Sequence, residues 1–260
     1  MVNARRDNRF KMAERRLYES PSDPIGITRI ASDGISGDGY KRSMWHNQPL
    51  LSEFKNNKQF PFGSFYDVDT TNVWDVDASG SGTALVPVAG RGAFAKFTNG
   101  ASDNNYYAYN NKYAHFGLIA GKDTLCTAEI IVKTVAKADI YFGLCAKILS
   151  GNMFDNRVNG IGFYTLADTD GNGLLRIEST KASTPTQVSA GVSMANGVKV
   201  KLGFNAVGLY KVCFYVDEIY RGIITTNIPT VDLNVCFGCR NGEAAANEFS
   251  INTINVAMER

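Results

Sequence analysis

Few residues in this 260-residue chain are spaced for acid–base or nucleophilic catalysis. Its two histidines, His46 and His115, have no Ser/Asp pair near them in sequence that would complete a catalytic triad. The acids Asp217 and Glu218 are adjacent, so in a strand their side chains point to opposite faces and cannot act together on one substrate. The pattern predicts a protein without catalytic activity.

One segment has the spacing of a metal site. Asp168-Thr-Asp170-Gly-Asn172-Gly173 begins like a calcium-binding loop, with Asp168, Asp170 and Asn172 as candidate ligands. The glutamate that closes such a loop should stand at position 179, but Ser179 stands there and Glu178 comes one position early. A polar hairpin turn is the favoured interpretation, a weak cation site is the alternative, and no cofactor is predicted.

The cysteines are further candidates for metal ligands. The chain has five of them, at Cys126, Cys145, Cys213, Cys236 and Cys239. An odd number, behind an Arg-rich N-terminus that lacks the apolar core of a secretory signal, predicts free thiols and a reducing place of synthesis. Cys236 and Cys239 have CxxC spacing, but residues three apart in a strand face opposite sides. We therefore predict reduced, metal-free thiols.

The most binding-like surface is the stretch Asn104–Tyr113, which is rich in Asn and Tyr. In a regular strand Tyr107, Tyr109 and Tyr113 share one face, where their rings could stack on a sugar or on a neighbouring subunit. Tyr106 faces the other side. The alternative is that the shared face belongs to the core.

Alternation of apolar and polar residues indicates the elements that must position any site. Val212, Phe214 and Val216 point one way in a strand, and Asp217-Glu218 then offers a tight reversal. About fourteen such strands, with turns every 8–12 residues, predict an all-β sandwich of two antiparallel sheets over residues 61–260. A slip of the apolar phase near Asn252-Thr253 predicts a β-bulge.

Residues 1–60 have a different character. A short helix is an option over residues 3–18, and no periodicity is sustained after it. We predict an extended arm that binds a partner surface, with a disordered tail as the alternative. Its candidate contacts are the basic and large apolar residues Arg5, Arg6, Arg9, Arg15, Arg16, Ile25, Ile27, Ile30, Trp45, Leu50 and Leu51.

Charge and hydropathy exclude two classes of partner. The formal net charge is only +2, which is too small to favour nucleic-acid binding by the whole chain. No apolar run reaches the roughly 20 residues that a membrane-spanning helix needs.

Three stretches resemble the concanavalin A-like jelly roll, which includes laminin G-type modules and legume lectins. Asn159-Gly-Ile-Gly-Phe-Tyr164 is similar to its central strand, and Ala245 to Val256 is similar to its closing strand. Tyr210 to Pro229 resembles its hairpin "VxFYVDG…TxxIP", with Glu218 where the family usually has Gly. The resemblance implies a jelly-roll fold for residues 62–260. Glycosidases of this family have acids on one strand as E-x-D-x-x-E, a run that this chain lacks, so hydrolysis is not expected.

The layout also resembles, in style, the head-decoration and accessory virion proteins of tailed bacteriophages. It has an Asn/Gly/Tyr-rich body with Trp74-Asp-Val near its start, preceded by the arm. This resemblance implies a noncatalytic capsid decoration protein on the outer surface of the virion head, made in the host cytoplasm. Its arm would bind the major capsid protein or other virion proteins, and a homo-oligomer is a further option. The alternative is a carbohydrate-binding, lectin-like module of a phage adhesion structure.

Overall fold

A computed structural model of the chain describes residues 58–62, 73–88, 94–112, 116–146, 152–155, 157–167 and 173–258. Within these ranges sixteen strands form two antiparallel sheets, because apolar side chains recur at every second position and need a common core. This confirms the predicted all-β sandwich. No helix in the described residues is long and apolar enough to cross a membrane.

The first sheet contains eight of these strands. Its spatial order is β14 (Ile219–Ile224), β13 (Lys211–Val216), β12 (Val200–Val207), β7 (Asp123–Val132), β16 (Glu248–Met258), β4 (Phe94–Asn99) and β3 (Gly82–Pro87). β4 pairs with the first half of β16, and β1 (Lys58–Phe62) pairs with its second half. The register shifts between Asn252 and Asn255, which confirms the predicted bulge.

The second sheet holds the site described below. Its spatial order is β11 (Thr184–Ser193), β10 (Leu174–Lys181), β9 (Gly160–Thr165), β8 (Ala138–Cys145), β15 (Asp232–Asn241), β5 (Tyr106–Asn111) and β2 (Trp74–Ser79). The short β6 (Phe116–Gly117) also pairs with β15. A one-turn helix, α1 (Asn152–Asp155), lies in the connection between β8 and β9.

Aromatic rings fill the space between the two sheets. Phe97 on β4 and Tyr109 on β5 meet across the sandwich with ring centroids 5.4 Å apart, and Phe163 on β9 meets Phe214 on β13 at 5.4 Å. All four side chains are fully buried. Each large apolar side chain that is buried in this way contributes about 1.5–3 kcal/mol, so these rings stabilise the packing of the two sheets.

The reversal predicted at Asp217-Glu218 is present between β13 and β14. Both residues have positive φ angles, 48° and 71°, as a two-residue hairpin turn requires. The neighbouring strand β12 supports this turn, because Lys201 N–H donates to the Asp217 carboxylate at 2.9 Å and Lys201 Nζ pairs with Glu218 at 2.9 Å. These contacts account for a turn without the Gly that the jelly-roll family usually has there.

The prediction that every cysteine is reduced is wrong. Cys145 and Cys236 form a disulfide across β8 and β15, whose register places Asn234 opposite Cys145 and so brings Cys236 onto the same face, with Cα atoms 6.2 Å apart. An odd number of cysteines gives no information about such a pairing between residues 91 positions apart. Cys126, Cys213 and Cys239 remain as buried free thiols. Cys239 faces the core while Cys236 faces outward, as the strand geometry of the CxxC pair predicts.

Candidate functional site

The outer face of the second sheet, which points away from the core, carries a concentration of buried polar and aromatic side chains. On β10, Leu175 and Ile177 enter the core, so Glu178 and its alternating neighbours point outward. On β9, Ile161 and Phe163 enter the core. The outward positions of β9 are therefore Gly160, Gly162 and Tyr164.

Gly162 makes room for the aromatic floor of this face. A Cβ at this position would lie 2.4 Å from the Phe142 carbonyl oxygen and 3.0 Å from the Tyr141 ring on the neighbouring strand. No side chain fits there without moving the backbone. The ring of Tyr141 can therefore lie across β9, where it is fully buried.

An ion pair between Arg157 and Glu178 lies on top of this floor. Arg157 Nε donates to Glu178 Oε1 at 2.6 Å and Nη2 donates to Oε2 at 3.0 Å. The Thr180 hydroxyl donates to Oε1 at 2.7 Å, and the Gln187 amide nitrogen donates to Oε2 at 2.7 Å. The side chains of the pair are only 7% and 4% exposed, so four hydrogen bonds satisfy a carboxylate that water hardly reaches.

These contacts fix the charge state of the pair. Burial alone would raise the pKa of Glu178, but the Arg157 guanidinium and the hydrogen bonds from Thr180 and Gln187 outweigh it and hold that pKa below its usual value. Burial alone would lower the pKa of Arg157, and Glu178 more than reverses this. Both groups are therefore ionised at neutral pH, and Glu178 holds no proton that it could donate.

Arg157 also joins the sheet to α1. Its guanidinium lies over the rings of Tyr141 and Tyr164, at 4.8 Å and 5.1 Å from their centroids. Its Nη1 donates to the backbone carbonyls of Met153 and Phe154. One side chain thus contacts β8, β9, β10 and the last turn of α1.

A second arginine holds α1 from the other side. Arg240 on β15 donates from Nε to Asp139 Oδ2 at 2.8 Å and from Nη2 to Asp155 Oδ1 at 2.8 Å. Its guanidinium also lies over the Phe154 ring, 5.3 Å from the centroid. Met153 and Phe154 pack on a small outer cluster that includes the disulfide. The helix therefore covers the centre of the outer face.

A pocket of about 290 Å³ remains open beside α1, above β9, β10 and β11. It is lined by Phe154, Asp155, Arg157, Tyr164, Leu166, Glu178, Thr180, Ser183, Pro185 and Gln187. The charges among these lining residues are all paired: Arg157 with Glu178, and Asp155 with Arg240. The Gln187 side chain is exposed, and only its amide nitrogen takes part in the hydrogen bond to Glu178.

The predicted tyrosine surface differs from this site. Tyr109 is fully buried in the core, where its hydroxyl accepts a hydrogen bond from Leu85 N–H at 2.8 Å, so it cannot contact a glycan or a subunit. Tyr107 is half-buried, packs against the core, and lies 6.3 Å from the Tyr109 ring. The core alternative therefore holds for these two residues, because their strand turns this face toward the first sheet. Tyr113 lies outside the described residues.

We expect Tyr109→Phe to lower the free energy of unfolding by about 1–3 kcal/mol, because it leaves the buried Leu85 N–H without an acceptor. Urea denaturation of the full chain measures this. Tyr107→Phe is the matched control and should change stability by less than about 0.5 kcal/mol. Equal effects of the two substitutions would show that the Leu85 hydrogen bond is not a specific source of stability.

Two sets of predicted site residues also lie outside the described residues. They are the candidate calcium ligands Asp168, Asp170 and Asn172 and the arm contacts from Arg5 to Leu51. Both sets stay predictions. In the part of the chain that the structure describes, no three His, Cys, Asp or Glu side chains come together as a metal site.

The residues that do form the pocket were missed from sequence because no short spacing links them. Arg157 and Glu178 are 21 positions apart and belong to different elements, and Gln187 belongs to a third. The only local signal lies on β10. There Glu178 and Thr180 occupy alternate positions, out of phase with the core residues Leu175 and Ile177.

Comparison with known proteins identifies the fold class of this chain. No protein-family model and no curated protein sequence matches the chain. The β-glucanase of Bacillus licheniformis superposes with a TM-score of 0.54 at 12% identity, covering 78% of this chain and 98% of that one. Peanut lectin superposes with a TM-score of 0.53 at 11% identity, covering 78% and 98%.

A GH16 protein from the mixed-linkage glucan PUL of Bacteroides ovatus gives a TM-score of 0.55 at 10% identity, covering 75% of this chain and 98% of that one. The fold is a concanavalin A-like jelly roll. At these identities the similarity concerns the fold alone. What the jelly roll does in this chain has to be inferred from its own outer face.

Proposed function

We propose that this protein is a noncatalytic carbohydrate-binding module whose glycan site is the pocket between α1 and the β10–β11 hairpin. The observation that carries the proposal is the lining of that pocket. The exposed side chains of Gln187, Ser183 and Pro185 surround the pocket, and its floor is formed by residues that are nearly buried, among them Phe154 and Tyr164. Sugars suit this combination of polar and apolar lining, since their hydroxyls both donate and accept hydrogen bonds and their C–H faces pack against apolar surfaces.

The named functions of fold neighbours support the same class. Peanut lectin and the carbohydrate recognition domain of Emp46p share the jelly roll at TM-scores of 0.53. The neighbour from Bacillus licheniformis is a β-glucanase, and the GH16 protein of Bacteroides ovatus is in complex with a product. The descriptions of these four neighbours thus all concern carbohydrates.

The chemistry of the pocket acids supports a noncatalytic role. Glycoside hydrolysis uses two carboxyl groups, one of which holds a proton at working pH because its pKa is raised. The outward positions of β9 are Gly160, Gly162 and Tyr164, which offer no acid. Glu178 has a lowered pKa and four hydrogen-bond donors, so it lacks the raised pKa that a proton donor needs. Asp155 is paired with Arg240.

A glycan array probed with the full chain tests the proposal. We expect binding to one class of array glycans, and we expect Gln187→Ala to weaken it by up to about tenfold, because a lost hydrogen bond is worth about 0.5–1.5 kcal/mol. Mass spectrometry of the bound oligosaccharide should show no cleavage.

The matched control is Tyr210→Ala, which removes a side chain that is 73% exposed next to β13 of the first sheet. It should leave glycan binding unchanged. No signal from the wild-type chain on any array glycan, or equal losses in the two variants, would contradict the proposed site.

The role as a capsid decoration protein stays a prediction. It rests on the arm, and residues 1–57 lie outside the described residues. A glycan-binding body is compatible with the adhesion-module alternative of that prediction. Attachment to virion proteins, location on the virion and a homo-oligomeric state likewise stay predictions.

A further inference from the structure

α1 divides the outer face of the second sheet. Phe154 lies 6.0 Å from the Tyr106 ring of β5, ring centroid to ring centroid. A Cβ on Gly238 of β15 would come within 3.0 Å of the Phe154 ring and 3.1 Å of the Met153 sulfur, so no space remains between helix and sheet. A ligand that crosses the strands from β11 toward β5 would therefore meet the wall of α1 after β9.

The β10–β11 turn forms the opposite boundary of the pocket. Ala182 and Ser183 have φ angles of 49° and 64°, which make a tight two-residue reversal. The turn is tied to the segment before β9, since Ser183 N–H donates to the Val158 carbonyl at 2.7 Å and Ala182 N–H donates to Asn159 Oδ1 at 3.1 Å. Ser183 and Pro185 therefore line a fixed rim.

The space between these boundaries is small. Ligand sites for drug-sized molecules measure about 300–1,000 Å³, so a pocket of about 290 Å³ lies at the lower limit and accommodates roughly one or two sugar rings. The charged lining residues are already paired within the protein. An acidic sugar would find no uncommitted cation on the lining and would lie beside the exposed carboxylate of Asp155.

We infer that the pocket binds the end of a neutral glycan chain, one or two rings deep, and that α1 excludes the interior of a longer chain. The inference rests on the proposed glycan-binding function and specifies its ligand. Phe154 acts as the specificity-determining residue, because its ring closes the pocket toward β8, β15 and β5. Asp155 holds that ring in place through Arg240.

The test is calorimetric titration of the full wild-type chain with cello-, malto-, manno- and chito-oligosaccharides of one to six rings. In the series that binds, affinity should rise from one ring to two and then change by less than about twofold up to six, since additional rings make no contacts. Affinity that continues to rise to six rings overturns the inference and leaves the proposed function intact. Array binding that is restricted to acidic glycans likewise overturns the inference and leaves the proposed function intact. No binding to any glycan overturns both.

Variants of the wall test the role of α1. Phe154→Ala should make the six-ring ligand bind about tenfold more tightly than the two-ring ligand, because the chain can then continue over β8 and β15. Asp155→Ala should produce a smaller shift in the same direction. The Asp155 side chain is 53% exposed, so its loss should not prevent folding. The wild-type titration tests the inference even where a variant fails to fold. Unchanged length dependence in a folded Asp155→Ala or Phe154→Ala variant would contradict the role of α1.

Discussion

Replacing Arg157 with Met should lower the free energy of unfolding at pH 7 by about 3–5 kcal/mol, because it leaves the carboxylate of Glu178 buried without its cation. Two further contacts are lost at the same time: the stacking on Tyr141 and Tyr164 and the hydrogen bonds to α1. Urea denaturation followed by tryptophan fluorescence measures the change.

The pH dependence of this loss identifies its cause. In the wild-type chain the pKa of Glu178 lies below the usual value of a glutamate, so its contribution to stability is present above that usual value and is lost as pH falls through the lowered pKa. Without Arg157, burial dominates and raises that pKa, so the contribution reverses sign and stability is lost as pH rises through the raised pKa. The difference between wild type and variant should therefore shrink from pH 7 to about pH 4.

A double-mutant cycle provides the control. Glu178→Gln alone leaves the Arg157 cation buried and should also be destabilising. The double variant Arg157→Met/Glu178→Gln removes both charges and should cost clearly less than the sum of the single losses. Two results would show that the ion pair does not stabilise this face. One is a double variant whose loss of unfolding free energy equals the sum of the single losses; the other is a loss from Arg157→Met that does not change with pH.

Removing the disulfide with Cys145→Ala/Cys236→Ala should lower the free energy of unfolding by about 2–5 kcal/mol. The crosslink joins residues 91 positions apart, so in the chain-entropy account it restricts a large loop of the unfolded chain. It also lies directly under α1, in the cluster that contains Met153 and Phe154. Denaturation under oxidising conditions measures the effect.

Treatment with a reductant separates the contribution of the crosslink to stability from the contribution of sulfur packing. Dithiothreitol should destabilise the wild-type chain and leave the double variant unchanged. Cys239→Ala serves as a control, since this buried free thiol has no crosslink and its loss should leave the response to reductant intact. Alkylation of the unfolded, unreduced wild-type chain should modify three cysteines. Modification of all five would contradict the disulfide.

Local patterns predicted much of the fold because its elements are defined by nearby residues. The β13–β14 turn at Asp217-Glu218 and the bulge after Asn252 both follow from the phase of apolar residues along a single strand. The sequence does not show whether the Tyr107 and Tyr109 face is buried, since alternation shows that two faces differ but not which of them meets the other sheet.

The candidate site could not be predicted in the same way, because its contacts depend on strand order. Cys145 meets Cys236 only because β8 is the neighbour of β15, although β9 to β14 separate them in sequence. Arg157 precedes β9, yet it binds a carboxylate on β10 and two carbonyls of α1. Such residues carry no spacing that marks them in advance. The short helix that bounds the pocket is likewise a local insertion between two strands.

A crystal structure of the full chain soaked with the neutral oligosaccharide that gives the highest array signal tests the central claim most directly. We predict sugar density in the pocket, bounded by Phe154 on one side and by Ser183 and Pro185 on the other, with a hydroxyl within hydrogen-bonding distance of the Gln187 amide. The ligand should be intact, and the Arg157–Glu178 pair should be unchanged beneath it. Sugar density elsewhere on the molecule with an empty pocket, or a cleaved ligand, would contradict the account.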